Sequence, residues 1–500
     1  MTSHSVAILD FGSQTTQLIA RRCRELKVYS QIFPCTISIE TLKNLAPKAI
    51  ILSGGPASVN TQSSPSLPVG LFELGVPVLG ICYGLQALTK MLGGQVTAAS
   101  HREFGSALIN ITPHKLFDRF DSQLEVWMSH GDQVTRLPEG FEAIASTQTC
   151  PYAAVAHESK QIYGVQFHPE VTHTRLGREI ISNFLFKIAQ LTPSYELADF
   201  LKEETARIKA EVGDAQVIMA LSGGVDSSVA AKLIHNAIGD QLISIYVNHG
   251  LHRTGEIEEI SSLNLHIVDA QKLFFDKLAG VIDPEQKRKV IGKTFIEVFD
   301  QEAKKYSNAR FLGQGTLYPD VIESQSASGG PSDVIKSHHN VGGLPENMNL
   351  KLIEPLKTLF KDEVRELGKL LGLPEKWVQR QPFPGPGLAI RILGEVTSAR
   401  CELLKQADLI VRQEITGNYW QYFAVLLPVK SVGVMGDARS YGETICVRCI
   451  ESEDGMTADW AYLPRAVLAK ISNRIMNEVP GITRVVYDIS SKPPSTIEWE

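Results

Sequence analysis

Short, wholly apolar runs punctuate the first third of the chain. Val6–Phe11, Ala49–Ser53 and Val76–Gly80 have the length and composition of strands buried on both faces. Between and after them, Gln14–Arg24 and Leu85–Met91 carry apolar residues at helical spacing, and Leu124–Met128, Ala153–His157 and Ile162–Phe167 read as further strands. The alternation predicts an α/β domain. Gln190–Leu197 contains a proline, leads into a charged helix at Ala198–Val212, and reads as a linker. A second α/β unit follows, with a strand at Val217–Leu221, a helix at Ser227–Ile238 and a strand at Leu242–Val247, which fits a βαβ unit of about 30 residues.

Gln381–Gly387, Gln-Pro-Phe-Pro-Gly-Pro-Gly, can form neither a helix nor a central strand, and it marks another boundary. Beyond it, Ala399–Ile415 and Leu463–Val479 read as helices, and Phe423–Leu427, Ser431–Met435, Thr444–Ile450 and Arg484–Ile489 as strands, a mixture that suggests α+β. The expected divisions are 1–192, 193–382 and 383–500, and 500 residues agree with roughly three domains.

Composition narrows the function classes. Lys plus Arg is 49 against 55 Asp plus Glu, a net charge of −6, which speaks against a nucleic-acid or anionic-membrane binder. A hydrophobic fraction of 43% excludes disorder as the dominant state. No apolar run is long enough for a membrane span, and the N-terminus enters a strand pattern without a leader-like core. Seven scattered cysteines do not suggest a disulfide framework, so a reducing cytoplasm is expected.

Two constellations carry chemistry. In Val78-Leu-Gly-Ile-Cys82-Tyr-Gly84-Leu-Gln86 a cysteine sits between an apolar strand and a helix, flanked by Gly80 and Gly84. This is the pattern of a nucleophile elbow, with glycines expected to permit the sharp turn and the helix N-terminus to favour the thiolate. A buried structural cysteine is the alternative. Gly164-Val-Gln-Phe-His168-Pro-Glu170 supplies a base and a carboxylate to orient it, and Leu52-Ser-Gly54-Gly55-Pro56 a glycine turn whose N–H groups could face an oxyanion. In the second constellation, Ala220-Leu-Ser222-Gly223-Gly224-Val225-Asp226-Ser227-Ser228 joins a strand to a helix. It has the glycines and hydroxyls of an anion cradle without a Walker lysine. An aspartate there would repel phosphate unless Mg²⁺ lay between them.

The first segment resembles the triad-type class I glutamine amidotransferases. That resemblance implies Cys82 as nucleophile, His168 as base, Glu170 as the orienting carboxylate, an oxyanion hole from Gly54 or Gly55 and Tyr83, and Gln86, Ser129 and His130 around the glutamine. The loop Ser222–Ser228 resembles that of the N-type ATP pyrophosphatases, which implies ATP binding by Ser222, Gly223, Gly224, Val225, Asp226, Ser227 and Ser228, with Asp226 holding Mg²⁺.

Further motifs include Gln314–Ser324, Ile335–Pro345, Phe383–Arg391, Val432–Asp437 and Ser491–Glu500. With them the whole chain resembles the glutamine-hydrolysing GMP synthetases. The resemblance implies an amidotransferase domain, an ATP pyrophosphatase domain and an α+β dimerisation domain, with XMP, ATP and glutamine as substrates and a homodimer as the assembly. It also implies a lid lysine, Lys336, and XMP contacts from Arg391, Gln421, Lys492, Ile497 and Glu498.

No tightly bound organic cofactor is expected, and no zinc: His338-His339 has no Cys/His set of ligand spacing around it, and Cys446-Val-Arg-Cys449 puts its thiols on opposite strand faces, as packing. The chain departs from the family at Asn248, where aspartate is usual, and in short segments at Glu259–His266 and Thr416–Trp420. Other glutamine-fed ATP pyrophosphatases, such as NAD or asparagine synthetases, and a nucleotide-binding regulator without chemistry remain the alternatives.

Overall fold

The structure, a computed structural model, describes residues 6–256, 265–326, 350–435, 438–452, 455 and 457–500. The described residues cluster into two compact units. One runs to Glu203 and includes the helix Tyr318–Ser326; the other begins at Glu204 and includes the C-terminal segment. Among the described residues no helix is long and apolar enough to cross a membrane.

The first unit is built on nine strands: β1 (Val6–Asp10), β2 (Ser30–Pro34), β3 (Ala49–Leu52), β4 (Val78–Ile81), β5 (Gln95–Ile111), β6 (Gln123–Arg136), β7 (Glu142–Ser146), β8 (Ala154–His157) and β9 (Ile162–Val165). Their order is β2-β1-β3-β4-β9-β8-β7-β5-β6. The β2-β1-β3-β4-β9 half is parallel, and its central strands β3, β4 and β9 are buried throughout, as their unbroken apolar composition predicts. The other half is antiparallel. The expected linker is not slack: the amides of Ser194 and Tyr195 both donate to the Lys27 carbonyl at 2.9 Å, and the Tyr195 side chain is buried. The helix Tyr318–Ser326 packs with this unit although it follows a strand of the other; the Tyr318 hydroxyl reaches the backbone of Ile32, and Arg24 lies over its ring.

The second unit contains a five-stranded parallel sheet, β12-β11-β10-β13-β14, made of β10 (Gln216–Leu221), β11 (Leu242–Asn248), β12 (Leu265–Asp269), β13 (Ala309–Gly313) and β14 (Lys351–Ile353). The chain leaves β10 toward one edge and returns on its other side at β13. The crevice at the carboxyl ends of these two strands is therefore the switch point where ligands bind in such sheets.

The C-terminal sheet holds β15 (Gln421–Met435), β16 (Ala438–Glu451), β17 (Asp459–Trp460) and β18 (Ile482–Tyr487). Two expected strands, Phe423–Leu427 and Ser431–Met435, are one strand with a register shift between Leu427 and Ser431, and β18 joins β16 in parallel. A single buried cluster runs from Val247 and Leu251 through Leu388 to Val447 and Ile482, so the Pro/Gly segment is crossed by a continuous core. Cys446 and Cys449 pack in separate clusters, as expected.

Of the two short segments, Glu259–His266 lies mostly outside the described residues. Thr416–Trp420 is a complete short connection from the helix Ser398–Glu414 into β15.

The approach of the helix Tyr83–Met91 to the first sheet yields a test of packing. A Cβ on Gly84 would stand 2.5 Å from the Leu52 carbonyl oxygen, in rigid backbone. Gly84→Ala should therefore destabilise the first unit by about 1–3 kcal/mol, seen as a lower denaturation midpoint with an unchanged slope. An unshifted midpoint would mean the strand and helix can move apart freely.

Candidate functional sites

Cys82 occupies the single residue between β4 and the helix Tyr83–Met91, with φ 50 and ψ −104. This corrects the expected division of labour. The unusual backbone angle belongs to the cysteine itself, whereas Gly80 and Gly84 are needed for their missing side chains: a Cβ on Gly80 would lie 2.5 Å from Leu88 Cδ2. Hydrogen bonds from the Cys82 amide to the Val165 carbonyl at 2.8 Å and from the Gly84 amide to the Ser53 carbonyl at 3.0 Å hold the turn.

His168 stands just past β9, buried, with Nδ1 2.7 Å from Oε1 of the fully buried Glu170. Thr15 donates its hydroxyl to the same carboxylate oxygen at 2.6 Å. Burial works against a charge on His168. The Glu170 carboxylate and the hydrogen bond and charge of the neighbouring Cys82 outweigh it and push the pKa up to about 10. An imidazolium is thus held beside the Cys82 sulfur. A Cβ on Gly54 would lie 3.0 Å from His168 Cε1, so the Gly54-Gly55 turn runs directly against the base.

Tyr83 supplies the first N–H of the helix, a position with no intrahelical partner. Gln86 donates to the Asp132 carbonyl at 2.8 Å, and the Ser129 carbonyl lies 3.6 Å from the Cys82 sulfur. The His130 ring is turned away into Glu103 and the Asp132 carbonyl. One neighbour was missed: the Gln166 side-chain amide lies 3.7 Å from the Cys82 sulfur. Its signal was present, since residues two apart on extended backbone share a face and Gln166 precedes His168 by two.

In the second unit, Ser222-Gly223-Gly224 links β10 to the helix Val225–Ile238, with Gly223 at φ 76. The Ser222 and Ser227 hydroxyls meet at 3.0 Å. Lys361 pairs with Asp226 Oδ2 at 3.0 Å. Asp226 Oδ1 is buried and without a hydrogen-bond partner among the described residues. Gly315, after β13, approaches so closely that a Cβ would lie 3.0 Å from the Asp226 and Ser227 backbone. Arg380, missed in the sequence, donates to the Gly223 carbonyl at 2.7 Å and to Glu256 at 2.7 Å, bracing the loop. Asn248 caps its own turn, accepting from the Gly250 amide at 3.2 Å.

Four of the five expected XMP residues converge. Arg391, fully buried between the rings of Phe383 and Phe423, makes a bidentate pair with Glu498 at 2.9 and 2.7 Å. Gln421 donates to the same carboxylate at 2.9 Å. Ile497 packs against Phe423 and Val425, and its carbonyl accepts from the buried Arg448 at 2.9 Å. Lys492 lies apart, with its ammonium 2.7 Å from the Gly455 carbonyl. Lys336 and His338-His339 lie outside the described residues.

Comparison with known proteins now discriminates between glutamine-fed ATP pyrophosphatases. The family model Glutamine amidotransferase class-I matches residues 7–188, NAD synthase matches 194–269, and GMP synthase C terminal domain matches 408–499. The chain is 58% identical over 508 residues to the GMP synthase [glutamine-hydrolyzing] of Brachyspira hyodysenteriae, covering 99% of both chains. It is 55% identical over 512 residues to that of Aquifex aeolicus, covering 100% of both. The chain belongs to the glutamine-hydrolysing GMP synthase family. It is accordingly a ligase of purine biosynthesis that forms GMP from XMP with glutamine as nitrogen donor, and the family uses ATP. Among solved structures, a glutamine amidotransferase from Thermotoga maritima is 18% identical at a TM-score of 0.32, covering 38% of this chain and 99% of that one.

The raised pKa of His168 gives a pH prediction. It lies above the ordinary 6.5, so the stabilisation from charging His168 is complete below that value and is lost as pH rises to about 10. In Glu170→Gln the opposing burial should win, and the His168 titration seen by ¹⁵N NMR should fall below about 6.5. A titration that stays near 10 would mean Glu170 does not set it.

Proposed function

We propose that the Cys82–His168–Glu170 group hydrolyses glutamine and that the Ser222–Ser228 loop activates XMP, in a chain divided at 1–192, 193–382 and 383–500. The observation that carries the reading is the strained Cys82 beside an imidazolium buried on Glu170. The Cys82 thiolate attacks the side-chain amide carbon of glutamine. The oxyanion takes hydrogen bonds from the Tyr83 N–H and that of Gly54 or Gly55, while Gln86 and Ser129 flank the substrate and His130, its ring engaged by Glu103 and the Asp132 carbonyl, is left out of the glutamine contacts. His168 gives its proton to the departing ammonia and then takes one from the water that cleaves the γ-glutamyl thioester. Glu170 keeps the ring oriented.

In the second unit, Ser222, Gly223, Gly224, Val225, Ser227 and Ser228 cradle the ATP phosphates at a helix N-terminus. The unpartnered, buried Asp226 Oδ1 fits a cation ligand. Mg²⁺ held there would offset the charge of the pyrophosphate. The C2 oxygen of XMP attacks the α-phosphorus and pyrophosphate leaves. Ammonia then adds at C2 and expels AMP, giving GMP. Lys336, outside the described residues, is the further phosphate contact that the resemblance implies.

Gln421, Ile497 and Glu498 bind XMP, with Lys492 on its phosphate. Arg391, already paired with Glu498, acts by holding that carboxylate in place. A cytoplasmic homodimer through the C-terminal domain completes the reading. Its support is the exposed apolar stretch of β15–β16, where Val429, Val434 and Tyr441 are 57%, 75% and 70% accessible, a face suited to a second copy.

Turnover assays run with glutamine and then with ammonium separate the two sites. Cys82→Ala should abolish glutamine-driven GMP formation and leave ammonium-driven synthesis. Asp226→Ala should collapse both. Retained glutamine use in the first variant, or retained adenylation in the second, would contradict the assignment. Lys492→Ala should raise the XMP KM by roughly 10- to 150-fold, the loss of a charge-assisted phosphate contact, with the ATP KM little changed. An unaltered XMP KM in a chain that falls into monomers would make the tail structural only.

A further inference from the structure

A second set of cysteine, histidine and carboxylate lies next to the glutaminase centre and takes no part in its chemistry. Glu103 of β5 and His130 of β6 are direct partners across the antiparallel ladder, which puts their side chains on one face. Cys150 joins them from the turn after β7. His130 and Cys150 are buried, Glu103 is nearly so, and the three ligand atoms lie within 4.8 Å of one another.

The hydrogen bonds around His130 define what the cluster needs. Its Nδ1 lies 3.1 Å from the Asp132 carbonyl, an atom that only accepts, so Nδ1 carries a hydrogen. In the neutral ring Nε2 then presents a lone pair, and Glu103 Oε2 faces it at 3.0 Å. Two lone pairs at this separation call for a positive species between them. A proton would satisfy His130 and Glu103 but would leave Cys150 unused; a metal ion engages all three.

The surroundings are those of a supported ligand set. The Asp132 carbonyl orients the ring through Nδ1–H, and Glu103 Oε1 accepts from the hydroxyls of Thr147, at 2.9 Å, and Thr149. We propose that Glu103, His130 and Cys150 bind one thiophilic divalent cation of the Zn²⁺ class. Three protein ligands and a water would complete a tetrahedron, the arrangement that sulfur, imidazole and carboxylate favour together.

Binding forms bonds from the metal to sulfur, nitrogen and oxygen and releases the Cys150 thiol proton to solvent. The ion would anchor the segment whose Ser129 carbonyl touches the Cys82 sulfur and whose Asp132 carbonyl holds Gln86. Sequence spacing could not reveal the set, because its members come from three separate chain segments at 103, 130 and 150.

The test uses full-length protein carrying Cys82→Ala, so that the glutaminase cysteine cannot bind metal, stripped with chelator and titrated with Co²⁺. One equivalent should produce a near-ultraviolet thiolate-to-cobalt charge-transfer band, and Zn²⁺ should displace it. Adding Cys150→Ser should abolish the band. Adding Glu103→Gln instead should weaken Co²⁺ binding by at least roughly tenfold, which decides the matter if the Cys150 variant fails to fold. No band in the Cys82→Ala protein, or an unchanged band or affinity after the second substitution, would overturn the site and leave an internal His–Glu ion pair.

Discussion

The first unit turns on one backbone conformation. Cys82, a residue with a Cβ, is held at φ 50 and ψ −104, a geometry that costs on the order of 1–3 kcal/mol and persists only where its surroundings over-determine it. The surroundings do so from three sides. β9 accepts the Cys82 amide, the loop after β3 accepts the Gly84 amide, and Gly80 and Gly84 let strand and helix close to a distance no side chain would permit. The strain buys position: the sulfur is thrust out of the sheet at a helix N-terminus, beside a histidine whose charge is fixed by a fully buried carboxylate.

The second unit solves a related problem with charge rather than strain. Arg391 and Arg448 are fully buried, and an unpaired guanidinium there would be costly. Both pair with the C-terminal segment: Arg391 with Glu498 through two of its nitrogens, and Arg448 with Asp488 and the carbonyls of Ser490, Thr496 and Ile497. Lys287 and Arg288 reach Glu500 in the same way. This segment is thereby built into the core, with Ile497 and Glu498 held in place by Arg448, Arg391 and Gln421.

Much of this was legible in the sequence where the signal is local. The buried parallel strands showed as unbroken apolar runs, the elbow as a cysteine between glycines, and the phosphate loop as Ser-Gly-Gly-x-Asp-Ser-Ser. Signals that depend on distant partners were not. The long strand β5 carries exposed Phe104 and Leu108 beside polar residues, so its alternation is blurred, whereas the start of β6 alternates and Leu124–Met128 stood out. Lys361, Arg380 and Glu256 are ordinary surface residues by sequence, and only the fold sets them around the loop. The conformational role of Gly80 and Gly84 was misread for the same reason: a turn and a close approach call for the same residue, and only the packed backbone distinguishes them.

Cysteine reactivity tests the central claim most directly. Burial pushes the thiols of Cys23, Cys150, Cys446 and Cys449 up to about 12 and that of Cys401 to about 11, and Cys35 is raised as well. Cys82 alone sits beside an imidazolium. Limited alkylation with iodoacetamide at neutral pH, followed by peptide mass spectrometry, should label Cys82 before any other cysteine, and glutamine should protect it. Preferential labelling of another cysteine, or glutamine-driven turnover that survives complete modification of Cys82, would contradict the account.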